Sequence, residues 1–425
     1  MTSLCIRKCS QTGMLMTGLV LSLKFFQSTP FEQLFFKLQA VFMVFILFFL
    51  FLYVANTLIE RQRINRVVLY FLFLMAIVPF YSALMALLQF AQPLIYGILT
   101  ERFWLLVGFG IWMYYMIING KITFSTVESV FVFMAWTSLV IFCFIILIYK
   151  LGHLHGVLEG SGLVSLTEVR GVRFKFQVYF ITFGSIYYFT QYALYKNRKH
   201  LIMLLAFLGY VFFIVQGRTY ILALVSTFLL YYWLNYSPSR LLGAAIKLGF
   251  FCCVFLVILQ FVFPQYLDRM SYLFVQMFEV LVGKESQDIS ANSRLLQARI
   301  VLEYLTNHWT AIWMGAGKVS QQWNDGFISI FGYFHPSDIG ALGGLFLYGI
   351  IGLIIVFIIP MGLCFKILKR TVEKENVFII SLKYLLVFSF VRAIQGSFYF
   401  GVVQYTLPLF VLMAYTELQE KRDVT

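Results

Sequence analysis

The chain has 425 residues, of which 61% are hydrophobic and 12% are charged, and its mean hydropathy is +0.87. Soluble domains are about 45–50% apolar and about 25% charged, so this composition excludes a soluble globular protein and predicts a polytopic membrane protein. The net charge of +14 does not indicate nucleic-acid binding, because the basic residues are scattered at the ends of apolar runs.

Continuous apolar runs of about 20 residues predict membrane-spanning helices, because a helix satisfies its own backbone groups in hydrocarbon. We therefore expect an all-α fold, with a single membrane domain over residues 1–425 and about twelve spans, of which the first is the weakest. In chain order the predicted spans cover about 12–27, 36–59, 67–90, 102–119, 123–149, 177–195, 200–216, 219–236, 243–263, 338–361, 377–394 and 398–416.

The connectors between alternate spans are short and basic, which is typical of the cytoplasmic side of a membrane. Their cations are Arg61, Arg63, Arg66, Lys121, Lys196, Arg198, Lys199, Arg240, Lys366, Lys369, Arg370 and Lys374. Since all of these fall on one side when the spans alternate, that side and both termini are predicted to be cytoplasmic. The two long loops, 150–176 and 264–337, are then on the outer side.

Positive charge also collects on the predicted outer side, where it opposes the topology signal. The two long loops and two outer span ends carry Lys150, Arg170, Arg173, Lys175, Arg269, Lys284, Arg294, Arg299, Lys318, Arg218 and Arg392. An anionic ligand on the outer face would compensate for these charges.

Arg218 lies in FFIVQGRTYILALV, between two spans with almost no loop. A guanidinium at this depth costs from about 3 to more than 10 kcal/mol, so Arg218 is expected either to line a cavity with a partner or to reach the headgroups. The planar fork of arginine suits phosphate oxygens. Arg392 in VRAIQG, and Arg170 and Arg173 in TEVRGVRFKFQ, either complete the same basic rim or lie among headgroups.

The segment SANSRLLQARIVLEYL predicts a helix with a Ser or Asn cap at its start. Arg294 shares its face with apolar residues that are expected to pack on the membrane domain, so it is a candidate to point into a site. Arg299 and Glu303 are four residues apart on this helix, a spacing that favours a structural ion pair over a contact with substrate.

His335 opens the sequence HPSD, where the tenth predicted span begins. In one interpretation Ser337 or Asp338 caps that helix and His335 only precedes it. In the other, His335 is a general base or hydrogen-bond donor at the mouth of a cavity, because an imidazole exchanges protons near neutral pH. His153 and His155 have no obvious third ligand, so no metal site is predicted there.

Four local features together resemble the O-antigen polymerase and O-antigen ligase superfamily, whose members act on undecaprenyl-diphosphate-linked glycans. They are EVRGVRFKFQVYF, where an arginine precedes a span; the GRT at Gly217–Thr219; SANSRLLQARIVLEYL followed by the Gly-x-Gly in MGAG; and HPSDIGALGGLFLYGIIGL, where a histidine opens a Gly-rich span. The similarity covers about residues 165–360. The family usually has Asn and an aromatic residue after the histidine, where this chain has Pro-Ser-Asp.

The resemblance implies a GT-C-like, all-helical glycosyltransferase in the bacterial cytoplasmic (inner) membrane, with an active site in the periplasm and a long periplasmic loop that contains short helices. It implies that Arg218 and Arg294 hold the lipid diphosphate and that His335 lies near the acceptor. The substrate-binding candidates are Arg170, Arg173, Arg299, Glu303, Asp338 and Arg392. Neither a cofactor nor a metal is expected. The expected partners are an undecaprenyl-diphosphate-linked oligosaccharide and membrane lipids, with a chain-length regulator protein as a further candidate.

The reaction expected from the resemblance is transfer of a glycan from undecaprenyl diphosphate to a hydroxyl of another lipid-linked repeat unit, during O-antigen or other surface polysaccharide synthesis. Fixed arginines suit this chemistry without a metal, because they stabilise the charge that develops on the diphosphate. His335 is the first candidate for the base, followed by Asp338 and Glu303. Two alternatives remain: a ligase that passes the glycan to lipid A-core, and a flippase for lipid-linked units. Charges gathered at one face and unmatched halves disfavour a transporter.

Overall fold

The structure, a computed structural model, describes residues 2–27, 29–60, 63–167, 171–236, 289–371, 375–395 and 402–424, with scattered single positions between 243 and 275. Most of the predicted ninth span, the adjoining part of the second long loop, and the candidate Arg170 lie outside these residues.

The described residues are almost entirely helical, as the apolar runs predict. In chain order the helices are α1 (Thr2–Ser22), α2 (Glu32–Ile59), α3 (Arg66–Phe90), α4 (Leu94–Thr100), α5 (Val107–Ile118), α6 (Phe124–Lys150), α7 (His155–Gly160), α8 (Tyr179–Tyr195), α9 (Arg198–Tyr210), α10 (Arg218–Asn235), α11 (Ile289–Asn307), α12 (Trp309–Met314), α13 (Phe327–Phe331), α14 (Gly340–Leu353), α15 (Ile359–Arg370), α16 (Val377–Gln395) and α17 (Val402–Val424). Short 3₁₀ turns cover Arg102–Leu106 and Pro336–Ile339, and π turns cover Val211–Val215 and Ile354–Ile358.

Six stretches of the described chain are long and apolar enough to cross a membrane. They are Glu32–Ile59, Arg66–Phe90, Leu94–Ile118, Phe124–Lys150, Arg198–Val215 and Pro336–Arg370. The protein is therefore a helical membrane protein, and the count of twelve spans stays a prediction. Polar residues in the connectors cap several of these helices: the side chains of Asn65, Thr123 and Asn197 each accept a hydrogen bond from a backbone N–H in the first turn.

Two details differ from the sequence expectation. The first predicted span was placed at about 12–27, but helix α1 ends at Ser22 and a turn follows, so that Lys24 lies in the connection to α2. The loop 150–176 contains, besides helix α7, an antiparallel hairpin of β1 (Val164–Thr167) and β2 (Gly171–Phe174).

The segments that connect the helices lie at two ends of the molecule, and contacts near the helix ends show which segments share an end. At one end, which we call the short-loop end, Glu417 accepts hydrogen bonds from Tyr114 and from Asn65. At the other, the long-loop end, the amide of Gln177 donates to the backbone oxygen of Leu23 at 2.7 Å. The long-loop end carries the hairpin, helix α11 and the start of α14, and therefore the elements on which the predicted site residues lie.

Helix α14 is broken at Gly349, whose φ of +64° and ψ of −176° are not helical. A backbone group that a broken helix leaves unpaired inside a membrane must find another partner. The segment Gly315–Gly317 provides it, because the N–H groups of Ala316 and Gly317 donate to the oxygens of Phe346 and Leu347 at 2.7 and 2.9 Å. The Gly-x-Gly motif is thus hydrogen-bonded through its backbone to the Gly-rich span.

Candidate functional site

Helix α10 begins at Arg218 and packs against helices α8 and α16. Two residues after Arg218, the buried Tyr220 hydrogen-bonds through its hydroxyl to Thr182 on α8. The guanidinium carbon of Arg392, at the end of α16, lies 5.4 Å from the centroid of the Tyr220 ring, which is within the range of a cation–π contact. We call Thr182, Tyr220, Arg392 and the helix start at Arg218 the Tyr220 cluster. Two arginines predicted from separate parts of the chain are therefore on elements that meet.

The hairpin lies beside this cluster. Strand β2, which carries Arg173 opposite Ser165 of β1, contacts the π turn Val211–Val215 that leads into Arg218. The backbone of the segment that the sequence assigned to a basic rim is thus placed at the same end as the Tyr220 cluster.

Helix α11 carries three further candidates, Arg294, Arg299 and Glu303, and all three are exposed. Val301 and Leu305, which share a helical face with Arg294, are packed into the protein core, whereas Arg294 itself is exposed near the start of the helix. Although they are four residues apart, Arg299 and Glu303 form no ion pair with each other in the described chain, so the ion pair expected from their spacing is wrong. Both side chains are left facing outward.

The buried side chain of Gln297 connects α11 to His335. Its oxygen accepts the backbone N–H of His335 at 3.0 Å, and its nitrogen donates to Ser293 at 3.1 Å. Gln297 is three residues from Arg294 on α11, so His335 is hydrogen-bonded to this helix about one turn from the position of that arginine. His335 and Arg294 form the second group of predicted site residues at the long-loop end.

His335 itself occupies the position before the 3₁₀ turn Pro336–Ile339, and no side chain caps that turn. The interpretation in which Ser337 or Asp338 caps the following helix is also wrong, because Ile339 precedes α14 and no side-chain cap is formed there. Asp338 is partly buried, and its backbone N–H donates to the oxygen of His335 at 2.9 Å. The imidazole ring lies edge-on to Tyr333, with 5.0 Å between the ring centroids.

Helix α14 contacts elements that belong to both groups. Helix α14 follows directly from the turn after His335, and it packs against α16, which carries Arg392. It contacts α11, which carries Arg294, and of the Tyr220 cluster it contacts the helix that carries Arg392.

A further cluster at the long-loop end was missed by sequence reasoning. Glu101 is 3% exposed; it accepts hydrogen bonds from Ser82 at 3.2 Å and from the buried Tyr348 at 2.9 Å. The ammonium of Lys318 lies 3.5 Å from the other carboxylate oxygen, and the backbone N–H of Lys318 donates to Ser82 at 3.0 Å. We call Glu101, Lys318 and the neighbouring Lys24 and Arg102 the Glu101 cluster. The signal that could have found it is the charged pair Glu101–Arg102 inside the apolar run LIYGILTERFWLLVG.

Lys24 and Arg102 both lie against one aromatic ring. The Lys24 nitrogen is 3.6 Å and the Arg102 guanidinium carbon 5.1 Å from the centroid of Phe103. Burial, followed by the positive charges of Lys318 and Arg102, lowers the pKa of Lys24 from 10.5 to about 7, against the opposing effect of Glu32 and Glu101. Three cations are thus held close enough together to oppose one another's charge.

Two consecutive residues connect the Glu101 cluster to the Tyr220 cluster. Gln177 donates to the backbone oxygen of Leu23, which directly precedes Lys24, and the Tyr220 hydroxyl lies 3.4 Å from the backbone oxygen of Val178. The residues just before helix α8 therefore contact elements of both clusters. Each cluster brings basic side chains to the long-loop end, where they can attract an anion.

Among the described residues, no three His, Cys, Asp or Glu side chains are grouped so that they could hold a metal ion. No protein-family model and no curated protein sequence matches this chain. The resemblance to the O-antigen polymerase and ligase superfamily therefore rests on the local motifs alone.

Proposed function

We propose that this protein is a membrane glycosyltransferase of the O-antigen polymerase type. In this proposal it moves a glycan from undecaprenyl diphosphate to a hydroxyl of another undecaprenyl-diphosphate-linked repeat unit, at the periplasmic face of a bacterial inner membrane. The observation that supports it best is the convergence of the Arg218 helix start and Arg392 around Tyr220, beside the cations of the Glu101 cluster. The planar fork of arginine suits phosphate oxygens, and a lipid diphosphate would supply them.

The proposed chemistry requires little covalent participation from the protein. The bond between the anomeric carbon and the diphosphate oxygen breaks, and negative charge develops on the leaving diphosphate. Arg218 and Arg392 would stabilise that charge, because fixed donors aimed at a developing anion need no reorganisation during the reaction. A new glycosidic bond forms to the acceptor oxygen, whose proton passes to a base.

His335 is the proposed base, with Asp338 beside it and Glu303 as a more distant alternative. Its proximity to Gln297 and Arg294 places it next to a helix that faces outward, where a glycan acceptor can approach. In this proposal Arg294 and Arg299 contact the substrate from the solvent side, and Lys24, Arg102 and Lys318 raise the local positive potential that attracts the anionic donor.

A flippase for the same lipid-linked units is the rival from another class, and one observation bears on it. Broken membrane helices are a feature of many transporters, and α14 is broken at Gly349. In those transporters the freed carbonyls coordinate a coupling ion, whereas here the oxygens of Phe346 and Leu347 accept the N–H groups of Ala316 and Gly317. The break is therefore used for packing, which favours the transferase.

Deletion of the gene in its own host tests the proposal and separates it from its rivals. A polymerase predicts lipopolysaccharide that carries a single repeat unit, because ligation continues without polymerisation. A ligase that uses lipid A-core as acceptor predicts free lipid-linked polymer instead. Accumulation of single repeat units on the cytoplasmic side would contradict both and would indicate the flippase.

A further inference from the structure

A cavity of about 520 Å³ opens at the short-loop end, opposite the proposed glycan-transfer site. It is bounded by the start of helix α3, by one face of α15 and by one face of α17. The residues from α15 are Leu363, Lys366, Ile367 and Arg370, and those from α17 are Met413, Thr416, Glu417 and Glu420. Each set follows the spacing of a single helical face, so two helices present matched surfaces to one space.

The charged lining of this cavity is predominantly basic. Four basic side chains, Arg63, Arg66, Lys366 and Arg370, face two carboxylates. Both carboxylates already have partners: Glu420 lies 3.8 Å from Arg370, and Glu417 lies 3.3 Å from Lys421 and also accepts from Tyr114. In the part of the chain that the structure describes, Arg63, Arg66 and Lys366 form no ion pair. The cavity therefore presents uncompensated positive charge to an anion.

The remaining lining is apolar, and this decides between two kinds of anion. Ile64, Val67, Leu363, Ile367 and Met413 form much of the wall. A small hydrated anion gains nothing from such a surface, whereas an amphiphile places its charged group on the cations and its hydrocarbon on the apolar wall. Basic pockets between helices on the cytoplasmic side of membrane proteins are suited to phospholipid headgroups for this reason.

We propose that this cavity binds the phosphate of an anionic phospholipid, with Arg63, Arg66 and Lys366 as the contacting cations. The bound headgroup bridges helices α3, α15 and α17 and so stabilises their packing. This site is independent of the proposed glycan transfer, because it lies at the other end of the helices and uses none of the residues assigned to that reaction.

Thermal unfolding of the purified full-length protein in zwitterionic detergent tests this proposal. Phosphatidylglycerol at saturating concentration is expected to raise Tm by roughly 3 °C or more, because a ligand that binds only the folded state stabilises it. Phosphatidylcholine and inorganic phosphate, added at the same concentrations, are expected to leave Tm unchanged. A shift of equal size with inorganic phosphate would show a site for small anions and would overturn the assignment to a lipid.

The double variant Arg66→Gln, Lys366→Gln is expected to lose most of the shift with phosphatidylglycerol. The matched control is Lys369→Gln, which removes an exposed cation of the same helix that does not line the cavity, and it should respond like the wild type. Equal responses from the double variant and the control would overturn the proposal. If the double variant does not fold, native mass spectrometry of Lys366→Gln decides: retained phosphatidylglycerol equal to wild type contradicts the site, and loss of one bound lipid supports it.

Discussion

The two ends of the molecule are both basic, but they carry their charge in different ways. At the short-loop end, cations such as Arg63, Arg198 and Lys366 are exposed on short connectors or helix ends. At the long-loop end, Lys24, Lys318 and Arg392 are partly buried, and each lies against an aromatic ring or a carboxylate.

Exposed cations at connectors indicate how the chain is oriented in the membrane, whereas partly buried cations indicate a binding site. An exposed cation at a connector costs little to place and follows the preference for the cytoplasmic side. A partly buried cation has lost part of its hydration and is retained only where a partner or a ligand compensates for it. The long-loop end is therefore the better candidate for chemistry, although the total number of cations does not single it out.

The largest effect is expected for arginine replacements that keep the charge but remove the planar fork. Arg218→Lys and Arg392→Lys should each lower glycan polymerisation by roughly 100-fold, a loss comparable to removing one donor from a site that stabilises a developing anion. The control Arg198→Lys changes an exposed arginine of the other end and should stay within about twofold of wild type. Polymer length and yield on gels, with protein level in the membrane measured in parallel, check the comparison.

Ion pairs at the two ends should differ in their contribution to stability. Lys318→Met leaves the buried carboxylate of Glu101 without its nearest cation and should lower the free energy of unfolding by about 3 kcal/mol. Arg370→Met breaks an exposed pair with Glu420 and should cost less than about 1 kcal/mol. Denaturant titration in detergent without anionic lipid measures both, and equal losses would remove the distinction between the ends.

Replacing a glycine by alanine should also affect stability differently in the two regions. A Cβ at Gly317, where φ is +74°, would lie 2.3 Å from the oxygen of Ser82 and 2.4 Å from the nitrogen of Ala86, both backbone atoms. Gly317→Ala should therefore destabilise the protein by about 2 kcal/mol and loosen the segment against α3. Gly362→Ala, which meets nothing within 4 Å inside helix α15, should be neutral or stabilise by up to about 1 kcal/mol. Thermal unfolding distinguishes the two variants.

The last comparison concerns a dependence of stability on pH that belongs to Lys24. Its pKa is about 7 in the folded protein against 10.5 ordinarily, so between these values the unfolded chain binds more protons. The free energy of unfolding should consequently rise as the pH increases from about 7 to 10.5, because the cost of the buried charge is relieved. Lys24→Met should remove this rise, whereas Lys199→Met, an exposed control, should keep it.

Much of the architecture was predictable from the sequence, because apolar length and helix caps are local properties. The bounds of α3, α6 and α10 follow the apolar runs closely. The buried face of α11 also followed from spacing, since Val301 and Leu305 recur at helical intervals. Lys24 was misplaced into a span because hydropathy does not register that the helix has already ended at Ser22.

The contacts that form the candidate site were less predictable, since they join residues that are far apart in sequence. The partners of Glu101 include Tyr348, which is 247 positions away, and no pattern in a single sequence predicts such a contact. The sequence placed Arg218 and Arg392 at the same side of the membrane, but the contact of Arg392 with Tyr220 depends on how α10 and α16 pack. The expected ion pair of Arg299 and Glu303 failed because both side chains are solvated, where such pairs contribute little.

The central claim is that the cations of the long-loop end bind a lipid diphosphate for glycan transfer, and one reconstitution tests it most directly. Purified protein is placed in liposomes with undecaprenyl-diphosphate-linked repeat units and without any ion gradient, and both glycan length and released undecaprenyl diphosphate are measured. The account predicts longer glycans, one undecaprenyl diphosphate released per bond formed, and loss of both products in Arg218→Lys. Unchanged repeat units that are only moved across the bilayer, or equal product from Arg218→Lys and wild type, would contradict it.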